Sequence, residues 1–344
     1  MPITLEEIAK IAGVSRSTVS RVVNGNERVR EETRQKVQSV IDELNFQPNI
    51  AARSLAAGRT SIIGLVIPAG VSALFKDPYF PQLIQGITAA CNKKEYSMML
   101  WVDEPTYHLR TIRQVLYSGL LDGVIISSML MDDPIIHSLY QRKMPFVLIG
   151  RHPDLDVNYL DVDNKAGAKK AMIFLIESGF NRIATITGPK NMIAGNDRYR
   201  GYCEALNQYD LALDDDLVTE GDFTEESGYV GMKKLLPHSP DAVFAANDSM
   251  AMGALRAIHE ADLIVPKDVA VVGFDDAPVA SLANPPLTTM RQSPYEMGYK
   301  AVNLLLDVIK HPDQPIKHIV LESELIIRGS SQQVDVSKEV PAYT

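Results

Sequence analysis

Side chains between positions 16 and 21 carry the most specific chemistry in the chain. At helical spacing Arg16, Ser17, Ser20 and Arg21 fall on one face, while Thr18, Val19, Val22 and Val23 fall on the other. The first face is wholly polar or cationic. Arginine can donate two hydrogen bonds to guanine O6 and N7, and Ser or Thr hydroxyls can serve phosphates or base edges. A solvated helix on a protein-binding bundle would show the same face.

Further along, polar residues stand directly after apolar runs. Arg151 follows Phe146 to Gly150, Asn247 and Asp248 follow Ala242 to Ala246, and Asp275 and Asp276 follow Val269 to Phe274. In open α/β sheets ligands collect at the carboxyl ends of strands, and this mixture of groups can both donate to and accept from adjacent hydroxyls. Tyr79 and Phe223 can supply aromatic faces for the apolar side of a sugar ring. Enzyme chemistry is scarce. No G-x-G pair, GxxxxGK[ST], HExxH or GxSxG occurs, and the seven histidines form no ligand spacing. Asp161 and Asp163 could form an acid/base pair, although carboxylates at strand ends are common in α/β folds. No catalytic residue, metal or cofactor is expected.

The elements that must position these groups are legible in part. Thr4 and Glu7 form a capping-box pair before Leu5, Ile8, Ala9 and Ala12, and Gly13 ends that helix. Ser15 can cap a second helix, and a third from about Glu31 to Leu44 offers Val37, Val40, Ile41 and Leu44 to the same small core. Residues 47 to 59, from Gln47-Pro48-Asn49 to Gly58-Arg59, read either as a two-turn helix too short to be stable alone or as a plain linker.

From residue 61 the pattern changes to βαβ units. Strands are expected at Ser61–Ile67, Ser97–Val102, Gly123–Ser128, Phe146–Ile149, Ile183–Thr187, Ala242–Ala246 and Val269–Phe274, in buried parallel sheets. They form two similar α/β subdomains facing a cleft. The sequence after Gly329 is polar and reads as a flexible tail.

Composition sets the outer limits. With 344 residues, 46% of them hydrophobic and 22% charged, the chain has globular proportions. They exclude wholesale disorder and suggest about two domains of roughly 150 residues, with room for one small module. No apolar run approaches the roughly 18 residues of a bilayer span, and the start lacks a signal-peptide pattern, so the expected compartment is the cytoplasm. Cys91 and Cys203 stand far apart and read as buried thiols rather than a disulfide or zinc site. The net charge is −9, yet residues 1 to 60 carry nine Lys/Arg against seven Asp/Glu, leaving −11 on the rest. A weakly basic head on an acidic body suits contact with a polyanion.

The string Ala9-Lys10-Ile11-Ala12-Gly13-Val14-Ser15-Arg16-Ser17-Thr18-Val19-Ser20-Arg21-Val22-Val23-Asn24 resembles the DNA-binding head of the LacI/GalR (lactose-repressor-like) family of bacterial transcription regulators. The resemblance continues through Pro48-Asn49-x-x-Ala52-Arg53-x-Leu55, similar to the family's hinge helix. It also takes in Arg198-x-x-Gly-Tyr, Gly221-Asp-Phe223, Ala246-Asn247-Asp-x-Met-Ala-x-Gly and Val271-Val-Gly-Phe-Asp275-Asp. It covers about Thr4 to Gly329.

The resemblance implies a helix-turn-helix head at 1–46, a hinge helix or linker at 47–60 and a periplasmic-binding-protein-like core at 61–330, with a tail at 331–344. Within the core, an N-subdomain of 61–162 plus 291–319 and a C-subdomain of 163–290 plus 320–330 are implied, with crossovers near 162, 290 and 320. By residue-wise match the DNA-facing set is Thr4, Ser15, Arg16, Ser17, Thr18, Ser20, Arg21, Asn24, Asn49, Ala52 and Leu55. Leu55 would be a minor-groove wedge. Arg198, Phe223, Asn247 and Asp275 would line an effector cleft, with Tyr79, Phe80 and Arg151 as further candidates. The implied partners are operator DNA, a second copy of the chain and a small carbohydrate-like effector. The implied function is that of a DNA-binding regulator, a repressor and not an enzyme. A purine, nucleoside or sugar acid stays open as the effector, as does a sugar-binding protein without DNA function.

Overall fold

The computed structural model describes residues 3–23, 28–46, 59–67, 74–102, 108–127, 130–131 and 133–332. The chain divides into two compact units, residues 1–61 and 62–344.

In the first unit Thr4 caps α1 (Leu5–Ala12). Its Oγ1 accepts the Glu7 amide at 3.3 Å, and its own amide donates to Glu7 Oε2 at 2.8 Å. Gly13 ends the helix in the left-handed region, at φ 60° and ψ 37°. That conformation suits glycine and turns the chain sharply into α2 (Arg16–Val23), where the Thr18 amide donates to Ser15 Oγ at 3.1 Å. Helix α3 (Glu31–Glu43) completes the bundle. Ile8, Ala12, Val19 and Val37 are wholly buried between the three helices, with Val22, Val40 and Ile41 around them. Each buried valine or isoleucine stabilises by about 1.5–3 kcal/mol, while the polar faces stay outward.

The second unit holds two six-stranded sheets. The first is built from β1 (Ile62–Ile67), β2 (Ser97–Val102), β3 (Gly123–Ser127), β4 (Phe146–Ile149), β5 (Tyr159–Val162) and a late strand, β11 (His318–Leu321). Its order is β11-β5-β4-β3-β1-β2, parallel throughout. The second comprises β6 (Ile183–Thr187), β7 (Val218–Glu220), β8 (Ala242–Ala245), β9 (Ala270–Asp275), β10 (Thr288–Arg291) and β12 (Glu324–Ile326). Its order is β12-β10-β9-β8-β6-β7, with β12 antiparallel to β10.

The helices of this unit are α4 (Tyr79–Lys93), α5 (His108–Tyr117), α6 (Pro134–Arg142), α7 (Asn164–Glu177), α8 (Ile193–Gln208), α9 (Glu225–Leu235), α10 (Asp248–Glu260), α11 (Pro278–Leu282) and α12 (Pro294–Lys310). Helix α12 leaves the second sheet and returns to the first, where it lies along α4. The two helices meet at glycines, because a Cβ on Gly86 would collide with the Tyr295 carbonyl and one on Gly298 with the Leu83 carbonyl. The chain passes between the lobes after Val162, after Arg291 and after Leu321.

Two sequence expectations are corrected. The sheets are neither all parallel nor all buried: β12 runs antiparallel, and β2, at an edge, is half-exposed. The polar residues after Gly329 do not all belong to a loose tail. Ser330 Oγ donates to the Val271 carbonyl at 2.6 Å, and Ser331 Oγ lies 2.6 Å from Thr288 Oγ1, both serines being buried against the sheet. Cys91 is buried and Cys203 half-buried, and both are free thiols.

Candidate ligand cleft and nucleic-acid interface

The carboxyl ends of the strands in both sheets face a cleft of about 700 Å³, partly open to solvent. The first lobe lines it with Asp77, Tyr79, Ser127 and Asp161, and the second with Asn164, Arg198, Phe223, Asn247 and Asp275. Gln292, on the second crossover, and Met297 also line it.

Arg198 is the buried cation of the site. It sits on α8, where its Nε donates to Asn164 Oδ1 at 2.8 Å and its Nη1 to the Ala246 carbonyl at 2.5 Å. The guanidinium stacks 3.7 Å over the Phe274 ring, and Nη1 lies 3.5 Å from Asp275 Oδ1. Burial lowers the Arg198 pKa, while Asp275, first among the surrounding acids, opposes the fall.

Asp275 ends β9 with a φ of 119°, a left-handed backbone that a non-glycine residue holds only under constraint. Gln292 Nε2 supplies part of that constraint by donating to Asp275 Oδ1 at 2.6 Å. Burial lifts the Asp275 carboxyl to about 7 and Asp77 repulsion adds to it, against the pull of Arg198. Asp77, whose Oδ1 accepts the Tyr79 amide at 2.9 Å, is also raised by burial. Burial likewise raises the Tyr79 phenol, whose hydroxyl donates to Met297 Sδ at 3.3 Å.

Asn247 caps α10: its Oδ1 accepts the Met250 amide at 2.9 Å, and its Nδ2 donates to the Phe223 carbonyl at 3.0 Å. Phe223, at φ 68°, lays its ring over Gly188, where any Cβ would clash with the ring. The aromatic face is therefore fixed by a neighbouring strand end.

Of the residues picked out from sequence, Tyr79, Arg198, Phe223, Asn247 and Asp275 come together on the cleft wall. Phe80 does not. It is 1% exposed and packed into the core of the first lobe, because it lies on the inward face of α4, next to Tyr79. Arg151 stands beside the cleft with its guanidinium engaged by Asp161 and Asp197. Asp161 and Asp163 form no acid pair: Asp161 takes Arg151, whereas Asp163 caps α7 by accepting the Ala166 amide at 2.9 Å.

Sequence reading missed Asp77, Asn164 and Gln292 as site residues. Asn164 and Gln292 each follow a short strand, YLDV or TTMR, too polar to register as an apolar run. Among the described residues no cluster of His, Cys, Asp and Glu could hold a metal, and no helix is long and apolar enough to cross a membrane.

On the first unit, Arg16, Ser17 and Arg21 are exposed along α2, and Ser20 is half-buried. Arg16 Nε pairs with Glu6 of α1. Ser15 Oγ lies 2.8 Å from both Ser17 Oγ and Thr18 Oγ1, and the Thr4 hydroxyl is engaged with Glu7. Asn24, Asn49, Ala52 and Leu55, with most of the expected hinge, lie outside the described residues.

The fold and its two sites define an effector-regulated, DNA-binding transcription regulator. Residues 4–49 match the family of bacterial regulatory proteins of the lacI type, and residues 173–331 match a periplasmic binding protein-like domain. The HTH-type transcriptional regulator CelR of Thermobifida fusca is 40% identical over 332 residues, 95% of this chain and 98% of that protein. The ribose operon repressor of Escherichia coli K12 is 34% identical over 95% of this chain and 99% of its own length. The repressor PurR of Haemophilus influenzae (strain PittEE) is 33% identical over 96% of this chain and 99% of its own length.

Among solved structures, a CelR–cellobiose complex aligns with a TM-score of 0.76 and 38% identity over 95% of this chain and 99% of that one. The lac repressor dimer bound to operator and the anti-inducer ONPF aligns with a TM-score of 0.87 and 28% identity over 97% and 100%. The chain belongs to the lacI family of bacterial transcription regulators. These relatives are transcription regulators.

Proposed function

We propose that the protein is a cytoplasmic repressor that binds a pseudo-palindromic operator as a homodimer, and that an uncharged sugar in the cleft sets its operator affinity. The observation that carries the choice of effector is the set of acids around one buried guanidinium. Asp77, Asp161 and Asp275 line the same space as Arg198, while the charge of Arg151 is matched by Asp161 and Asp197. Such a wall offers acceptors to hydroxyl donors and has both guanidiniums already engaged by acids, which favours a neutral sugar over a sugar acid. Phe223 and Tyr79 supply apolar faces for the ring. Relatives whose names carry cellobiose and ribose support this reading.

In the head, Arg16 and Ser17 read base edges, and Ser20 and Arg21 make the shared DNA contacts, with Thr4, Ser15, Thr18 and Asn24 as further contacts. Asn49, Ala52 and Leu55 are assigned to minor-groove contact. Two-fold symmetry doubles a head too small to be specific alone.

A thermal-shift screen of neutral sugars, sugar acids and purines, followed by gel shifts on the protein's own promoter, tests the proposal. A neutral sugar should raise the melting temperature and change promoter affinity; preference for a sugar acid or a purine would reject the effector assignment. Leu55→Ala should weaken promoter binding and leave dimers intact.

A further inference from the structure

Arg151, which stands just after β4 in the first lobe, spans the cleft edge. Its Nη1 donates to Asp161 Oδ2 on its own lobe at 2.8 Å, and its Nη2 pairs with Asp197 on α8 of the other lobe. The two carboxylate side chains are only 7% and 5% exposed, whereas the arginine is 32% exposed. Asp161 is fixed without help from the far lobe, since its Oδ1 accepts the Val162 amide at 2.8 Å and Asn164 Nδ2 at 3.3 Å. Asp197 faces a different situation. A buried carboxylate is unfavourable unless it is paired, and its cation comes from across the cleft. The planar guanidinium fork can hold two acids in different directions at once, which an ammonium cannot do with fixed geometry. Among the described residues a further link on this side is a backbone bridge between Leu130 and Met192.

We infer that Asp197, acting through Arg151, is a positioning residue that holds the two lobes in register and so sets how strongly the cleft is coupled to DNA binding. Arg151 is then a strut between lobes, not a ligand for the effector. The coupling part rests on the proposed reading that lobe movement transmits the effector signal; the strut itself does not.

Amide hydrogen exchange on the full-length protein without ligand separates the two acids. The reporter is the first and third crossovers, where the Asp163 amide donates to the Leu321 carbonyl at 3.0 Å. Asp197→Asn should speed exchange there by about tenfold while β3 and β8 keep their protection. Asp161→Asn, which leaves the cross-lobe contact in place, should stay within about twofold, and Asp197→Glu should restore most of the protection. Equal acceleration by Asp161→Asn and Asp197→Asn, uniform acceleration through both sheets, or no change at the crossovers would each overturn the strut. As a second arm, Asp197→Asn should shift affinity for the protein's own promoter DNA by about fivefold or more, although the head is untouched. If the wild-type protein ignored that DNA, the functional reading would fail while the exchange result still decided the strut.

Discussion

Gln292 donates its side-chain amide to Asp275 Oδ1 at 2.6 Å, which ties a residue on the second crossover to the carboxylate at the end of β9. The same oxygen lies 3.5 Å from Arg198 Nη1, so crossover, acid and buried cation form one connected group. The cleft and the path of the chain between lobes are thus parts of one hydrogen-bonded arrangement.

Stability should respond to pH through this group. Burial lifts Asp275 in the folded state to about 7, above the roughly 3.9 of an unfolded aspartate. The fold therefore favours the protonated acid. Its contribution is fully present below about pH 4 and is lost as pH rises through about 7. Asp248, Asp77 and Asp161 are raised in the same direction, each chiefly by burial. Melting temperatures measured between pH 4 and 8 should fall with rising pH, and Asp275→Asn should flatten part of the slope. An unaltered slope in the variant would place the titrating group elsewhere.

Effector binding should depend on Asp275 and Phe223 in different ways. Asp275→Ala removes a buried acceptor and leaves Arg198 and Gln292 without their shared partner, so calorimetry with the sugar identified by screening should show a loss of about 100-fold or more. Phe223→Ala removes apolar contact area, and a loss of about tenfold is expected. Full affinity in Asp275→Ala would move the binding site out of this cleft.

Base reading should depend on Arg16. A bidentate arginine–guanine contact carries roughly 1–3 kcal/mol of discrimination, so Arg16→Ala should weaken operator binding by about 5- to 150-fold and relax preference at one base pair of each half-site. Arg21→Ala, if it removes a phosphate contact, should instead weaken all sequences alike and flatten the salt dependence. Operator libraries bound at two salt concentrations would distinguish these patterns; unchanged preference in Arg16→Ala would remove it from the reading face.

The sequence made some of this legible because the relevant signals are local. The Thr4–Glu7 cap, the Gly13 turn and the valine spacing of α2 each act within one or two helical turns, and the structure places all three as read. The apolar strands β1, β3 and β9 were equally plain, as were the four-residue but wholly apolar β4 and β8. Short strands carrying polar residues were not: β5, β7, β10, β11 and β12 have three or four residues each, at least one of them polar, and β10 buries Thr288 and Thr289 where an apolar run would be sought. Their hydroxyls are satisfied by distant partners, Ser331 and Asp248, which no local pattern announces. The same holds in the cleft. Asp275 and Asn247 follow apolar runs and could be picked out, but Asp77 gains its meaning only from being folded opposite Arg198. Phe80 shows the converse error, since adjacency to Tyr79 in sequence puts it on another face of the same helix.

Packing of α4 against α12 gives a last prediction. Helix α4 begins at Tyr79, whose ring lines the cleft, and its middle rests against α12 through Gly86 and Gly298. A Cβ at Gly86 would meet the Tyr295 backbone carbonyl, which cannot rotate away as a side chain can, so Gly86→Ala must push the helices apart. Overpacking of this kind costs about 1–3 kcal/mol, whereas Gln85→Ala, one position along on the exposed face, should stay within about 0.5 kcal/mol. Urea unfolding should show a lower midpoint for Gly86→Ala alone. Because the displaced helix carries Tyr79, effector affinity should fall with it. A destabilised variant that still bound the sugar with full affinity would show that the start of α4 is held by the cleft itself and not by its packing on α12.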